Sequence, residues 1–261
     1  VYLGYSSGGI FKTIDGGKNW VPIFDDNSYL SIGDLAFDPL HPDTIYVGTG
    51  DPNISSNPFV GNGLFRSTNG GNTWESIGLS NVGIISKIVV NPLNSNIIYV
   101  ATMGSPFIRD SNRGLYKTID GGKTWTNVLF LSNQAGIIDL AINPLDPNII
   151  YAAGWDRIRT NYESTTYGPN CKILKSIDGG SNWVTLSTGL PTNSNTSRIG
   201  LAIHPTSPNI IYALYIDRNF NLGGVFRSKN SGSSWATIPT DEANALPSDL
   251  MGSPGFGWYF G

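Results

Sequence analysis

Short apolar runs, each broken by proline, glycine or asparagine, recur along the whole chain and predict strands joined by tight turns. One set of runs ends in proline: Asp34-Leu35-Ala36-Phe37-Asp38-Pro39 is answered by KIVVNP at 87–92, DLAINP at 139–144 and GLAIHP at 200–205. Proline has no N–H to continue a ladder, so a turn must follow each of them. A second strand comes next in every copy: Ile45-Tyr46-Val47-Gly48, Ile98-Tyr99-Val100-Ala101, Ile150-Tyr151-Ala152-Ala153 and Ile211-Tyr212-Ala213-Leu214. A third and a fourth strand flank an eight-residue phrase, first met as Thr13-Ile14-Asp15-Gly16-Gly17-Lys18-Asn19-Trp20.

That phrase returns as STNGGNTW (67–74), TIDGGKTW (118–125), SIDGGSNW (176–183) and SKNSGSSW (228–235). Its closing tryptophans are 54, 51, 58 and 52 residues apart, a period that signals a solenoid, propeller or array. An Asp or Asn that can bond back onto backbone N–H groups, followed by glycines free to take positive φ, makes a hairpin turn. The repeated Trp is expected to pack as core against neighbouring strands. Together the runs predict a four-stranded antiparallel meander, the size of one propeller blade. Five blades are visible, the first lacking its innermost strand.

The pattern Ser/Thr-x-Asp-x-Gly-x-Thr-Trp resembles the Asp box, or bacterial neuraminidase repeat, of sialidases, xyloglucan-hydrolase propellers and sortilin-type propellers. The wider wording, GGIFKTIDGGKNW, IYVGTG, GLFRSTNGGNTW and NPLDPNIIYAAG, is most similar to sortilin-like secreted bacterial proteins with this repeat, many of which are labelled glycosyl hydrolases. The resemblance implies an all-β propeller. In that group wording like Gly257-Trp258-Tyr259-Phe260-Gly261 leads into another inner strand, so it also implies that the five blades are an arc of a larger propeller. Residues 1–240 are then blades, and 241–261 are a connection with the first strand of a further or ring-closing blade.

Composition narrows the function. The chain has 261 residues, is 39% hydrophobic and 13% charged, and carries a formal charge of −3. That is a globular composition without a basic surface for nucleic acid. No apolar stretch is long enough to cross a bilayer as a helix. A single cysteine, Cys171, excludes an intrachain disulfide framework and a multi-cysteine metal site. We expect no cofactor and no metal. Both histidines, His41 and His204, sit beside prolines in matching turns. The likeness to exported proteins implies an extracellular or surface-attached bacterial protein.

In a meander the phrase and the proline turns share one face, and the connections between second and third strands lie on the other. Those connections vary in length, and variable loops on a rigid scaffold are where binding and catalysis usually sit. An aspartate lies five residues after the second-strand Tyr in three copies, Asp51, Asp156 and Asp217. Trp155, Arg157, Arg159, Tyr162, Tyr215 and Arg218 accompany them, and Arg198 stands near the same rim. On the inner strands Asp34, Lys87, Asp139 and Gly200 occupy one level of the channel wall. The basic residue before each phrase, Lys12, Arg66, Lys117, Lys175 and Arg227, is expected to be a solvated strand position.

A sialidase is not supported, because its arginine triad cannot be assembled from matched positions. Xyloglucan-hydrolase propellers carry a carboxylate on an early connection shaped like Tyr-x-x-Thr-Asp-x-Gly-Gly. The matching stretch here, Tyr2 to Gly9, has Ser6 at that place, which removes half of a general acid/base pair. The expected function is a binding scaffold presenting its variable loops to a protein, peptide or glycan. The alternative is a glycoside hydrolase using two of Asp34, Asp51, Asp139, Asp156 and Asp217.

Overall fold

The structure, a computed structural model, describes residues 1–53, 59–192 and 194–238. The expected boundary at 241 and the aromatic segment 256–261 lie outside the described residues. No helix occurs among the described residues.

The described strands form five antiparallel sheets in meander order and one separate two-stranded sheet. Blade I holds β1 (Tyr2–Tyr5), β2 (Gly9–Lys12) and β3 (Val21–Pro22). Blade II holds β4 (Ile32–Phe37), β5 (Ile45–Thr49), β6 (Leu64–Ser67) and β7 (Glu75–Ser76). Blade III holds β8 (Ile84–Val90), β9 (Ile98–Gly104), β10 (Gly114–Thr118) and β11 (Thr126–Leu129). Blade IV holds β12 (Ala135–Ile142) and β13 (Ile150–Asp156), a small hairpin of β14 (Ile158–Arg159) and β15 (Ser164–Thr165), then β16 (Ile173–Ser176) and β17 (Val184–Leu186). Blade V holds β18 (Thr196–Ile203), β19 (Ile211–Asp217), β20 (Leu222–Ser228) and β21 (Ala236–Ile238). The inner strands β4, β8, β12 and β18 stand side by side. This is the propeller architecture that the sequence periodicity predicts.

Each repeated phrase closes a turn by the same bonds. In blade III the buried Thr118 Oγ1 accepts from Gly122 N at 3.0 Å and donates to Asp120 Oδ1 at 2.7 Å, while that oxygen accepts from Thr124 N at 2.9 Å. Gly121 and Gly122 have φ of 73° and 92°, in the left-handed region that glycine tolerates best. In blade V Ser231 takes the first position at φ 57°, but the second is glycine in every copy. A Cβ on Gly71 would meet the Ile23 side chain of blade I at 2.5 Å, and one on Gly122 would meet Ile77 of blade II at 3.0 Å. Close approach between blades, added to the turn, keeps that position glycine. The turns also bond to the proline turns, Gly70 N to Asp43 O and Gly121 N to Asn96 O, so the two kinds of turn share one face.

At the seams between blades one expectation holds in large part and another is corrected. Trp235 lies within a core cluster and Trp74, Trp125 and Trp183 pack against others, but Trp20 does not. Trp74, Trp125 and Trp183 are half-buried, and each indole N–H donates to the preceding blade, at Ile23 O, Ile77 O and Val128 O. Trp20 is exposed and bonds only to Gly17 O of its own turn, whereas Trp235 is buried. The basic third-strand residue is not a solvated face. Lys12, Lys117 and Lys175 extend to the next blade and donate to Gly70 O, Gly179 O and Ser231 O at 2.7–2.8 Å. The second-strand tyrosine, its cross-strand partner, donates to the same oxygen in all three cases. Arg66 likewise reaches Gly121 O while pairing with Glu75. The turn carbonyl of one blade is thus gripped by the preceding one.

Candidate functional site

The inner-strand carboxylates support the seams. Asp34 Oδ2 accepts from Ile88 N of blade III at 2.7 Å, and its other oxygen pairs with Lys87 at 3.6 Å. Asp139 accepts from Leu140 N and, across the seam, from Leu201 N at 2.7 Å. Burial pushes both carboxyls above the usual range; Lys87 opposes this most at Asp34, the Leu201 N–H at Asp139. Both acids lie on inner strands, and there they face backbone donors of the next blade.

On the loop face, strand β13 runs further than its sequence suggests and carries Trp155 and Asp156 into the interior. Trp155 is fully buried, with its indole N–H donated to Thr166 O at 2.8 Å and the guanidinium groups of Arg198 and Arg157 5.6 and 5.9 Å from its ring. It is therefore no stacking platform for a ligand. Tyr215 is also buried, in β19 against Phe226. Asp156, fully buried, accepts from Asn170 N, Asn170 Nδ2 and Gln134 Nε2. These three residues were expected in loops. The β13 and β19 ladders, which include register shifts, carry the apolar core out to Trp155 and Tyr215, which residue type alone does not reveal.

Asp51, also buried, accepts from Asn53 N and shares a small cavity with Arg157 and Trp155. Arg198 donates to Asn53 Oδ1 at 3.0 Å. Burial lowers both arginines to about 10. Asp217 closes a turn by accepting from Asn219 N and Asn221 N. Arg218 is exposed and lies 4.7 Å over the Tyr167 ring. Arg159 donates its backbone N–H to Pro106 O, and Tyr162, almost fully exposed, tops the β14–β15 hairpin. Arg113, which the sequence offers as a loop residue able to meet a ligand, is instead fully buried and donates to four carbonyls, those of Ser105, Ile108, Gln134 and Arg157. Arg109 of the same loop pairs with Glu163 of blade IV at 2.7 Å.

Burial pushes the Cys171 thiol up to about 12, so it offers no thiolate. His41 pairs with Asp38, and His204 accepts from Ser207 N; both are turn residues, as expected. No group of three or more metal-ligating side chains is found among the described residues.

What the loop face does expose is aromatic. Tyr29, Phe59, Phe107 and Tyr162 are all exposed there. Tyr29 and Phe59, with Val60, Ser7, Ser28 and Ser31, border a cleft of about 260 Å³. The Ser31 hydroxyl is buried and has no hydrogen-bond partner among the described residues. Of these the sequence offered Tyr162 alone; Tyr29, Phe59 and Phe107 stand in connections that do not repeat.

The family model Sortilin-Vps10, described as sortilin, neurotensin receptor 3, matches residues 62–189. Xyloglucanase Xgh74A of Acetivibrio thermocellus is 22% identical over 260 residues, covering 95% of this chain and 25% of that protein. A xyloglucanase of Hypocrea jecorina is 27% identical over 255 residues, covering 92% of this chain and 24% of its own length. Among solved structures, an ancestral GH74 enzyme superposes with a TM-score of 0.61 at 24% identity, over 81% of this chain and 24% of that one. The GH74 xyloglucanase from Xanthomonas campestris gives 0.58 at 16% identity, over 92% and 43%. The chain spans about a quarter of the length of the curated relatives it matches. What these likenesses and the described sheets establish together is the fold: a run of β-propeller blades similar to those of sortilin-type and xyloglucanase propellers.

Proposed function

We propose that these blades form the glycan-binding wall of a polysaccharide-acting propeller outside the cell, and that the acid/base pair of any hydrolysis is not drawn from the five aspartates considered above. One observation carries this reading: Asp34, Asp51, Asp139, Asp156 and Asp217 each accept at least one backbone N–H. A carboxylate committed to backbone donors holds a turn or a seam, whereas a general acid must be free to meet the glycosidic oxygen. The xyloglucanase relatives point to a glucan as the class of ligand. The exposed Tyr29, Phe59, Phe107 and Tyr162 supply flat apolar surfaces of the kind sugar rings cover.

The test uses the 261-residue chain with xyloglucan oligosaccharides, reading calorimetric binding and release of reducing ends together. Binding without release is expected, with Tyr29→Ala and Phe59→Ala each weakening it by roughly tenfold. Release that disappears in Asp51→Asn or Asp139→Asn, with folding unchanged, would restore the hydrolase reading for this chain alone.

A further inference from the structure

Three arginines near the loop face, Arg113, Arg157 and Arg198, are buried, and burial lowers each of them to about 10. A cation taken out of water is ordinarily paired with an acid, because little else repays its lost hydration. Neither Arg113 nor Arg157 has a carboxylate within ion-pair distance among the described residues. Arg113 bonds to carbonyl oxygens instead, through both of its terminal nitrogens. Arg157 is 4% exposed and less well supplied: Nη1 donates to Ile158 O at 3.2 Å, while the buried Nη2 has no hydrogen-bond partner among the described residues. An orphaned buried donor on a charged group calls for an explanation.

Arg157 lines a cavity of about 10 Å³, roughly the room that one water-sized particle needs. Its walls come from three blades: Asp51 from the loop of blade II, Met103 and Gly104 from blade III, Trp155 and Arg157 from blade IV. The cavity therefore lies inside the arc, away from its first and last strands. The other two guanidinium groups stand behind these walls. A Cβ on Gly104 would meet Arg113 Nε at 2.9 Å, and Arg198 lies 5.6 Å from the Trp155 ring. Among the described residues that line the cavity Asp51 is the one carboxylate, and it accepts from Asn53 N. Asp139 and Asp156, which also act on Arg198 and Arg113, are bonded to Leu201 N and to Asn170 and Gln134. Positive charge is left over at the cavity.

We propose that this cavity is a buried site for one small monovalent anion, chloride, held by the Nη2 N–H of Arg157. A water molecule would accept the same N–H but leave the charge unbalanced; a halide answers both needs. Its thin hydration is given up at small cost against Met103 and the Trp155 indole, and the space admits no anion of several heavy atoms. The ion joins the loop of blade II to blades III and IV, so it acts as a structural ligand of the fold, apart from the glycan reading. Asp51 opposes it and limits its affinity.

The test follows the thermal midpoint of the 261-residue chain as sodium chloride or bromide replaces sodium gluconate at constant ionic strength, with chloride NMR line widths as a direct reading of bound ion. Raising chloride from about 1 to about 100 mM should lift the midpoint by roughly 3–6 °C and then saturate. Bromide should do the same. Arg157→Gln, polar but uncharged, should lose both the midpoint shift and the line broadening. Asp51→Asn keeps the shape, removes the opposing charge and should tighten chloride binding by roughly tenfold. If Arg157→Gln fails to fold, the unaltered and Asp51→Asn chains decide the matter. A midpoint indifferent to the exchange of gluconate for chloride, an equal response in folded Arg157→Gln, or an Asp51→Asn chain that binds chloride no more tightly would each overturn the proposal, the first assigning the site to water.

Discussion

Thr118 shows how much of a turn one buried atom can hold. Its hydroxyl oxygen is 1% exposed by residue and accepts the Gly122 N–H at 3.0 Å in a buried setting. Asp120, which looks like the signature of the phrase, accepts from that hydroxyl and spends the rest of its carboxylate on exposed donors, among them Thr124 N and Thr124 Oγ1. Thr118→Val keeps the shape and strands a buried donor, a change that costs about 1–3 kcal/mol. Urea unfolding should resolve this as a shifted midpoint with an unchanged slope. Asn69 and Asn230 perform the aspartate's task without charge, accepting from Thr73 N and Ser234 N. The sequence therefore overstates the acid and understates the hydroxyl before it.

At the scale of the element, the seam between blades III and IV depends on two donors to one buried carbonyl. Removing both, in Tyr99→Phe with Lys117→Met, leaves Gly179 O without its partners, and about 1–3 kcal/mol of stability should be lost. Each single variant should cost less than half of that, since the remaining donor still satisfies the oxygen; a double-mutant cycle on unfolding free energies would read the difference. The strands, their order and the turn positions were legible in the sequence because apolar alternation and turn chemistry are local. The clamp was half legible. Tyr99 and Lys117, or Tyr151 and Lys175, recur at fixed positions, but that they reach forward into the next blade depends on how the sheets stack. Trp155, Asp156 and Tyr215 were misplaced for the same reason: where a strand ends against its neighbours is a tertiary matter. Asp34 and Asp139 were placed at matching positions of the inner strands, because counting back from a proline fixes a position along the strand.

For the whole molecule, pH acts in two opposing senses. Asp15, held chiefly by the Asn19 N–H, and Asp178, held chiefly by the Asn182 side chain, are lowered from 3.8 to about 2, and Asp120 is lowered as well, first by Thr124. A carboxyl lowered in the fold contributes stability above its unfolded value, and that contribution fades as pH falls through the folded one. The window is therefore about pH 4 down to 2. Asp34 and Asp139, raised by burial, act the other way: their contribution is present below the unfolded value and is lost as pH rises through the folded one. Replacing Asp15, Asp120 and Asp178 together with Asn should leave the turns intact and flatten the fall of the thermal midpoint between pH 4 and 2; an unchanged fall would show that the turn carboxylates do not govern it. The web around Arg113 bears on inheritance as well as on stability. Its guanidinium spans the loop of blade III, the link into blade IV and the loop beyond. Genetic recombination that exchanged one of those loops without the others would strand a buried cation. The two loops should therefore be transmitted and grafted as one cassette, while the Asp217–Asn221 turn of blade V, closed by its own side chain, can be exchanged alone.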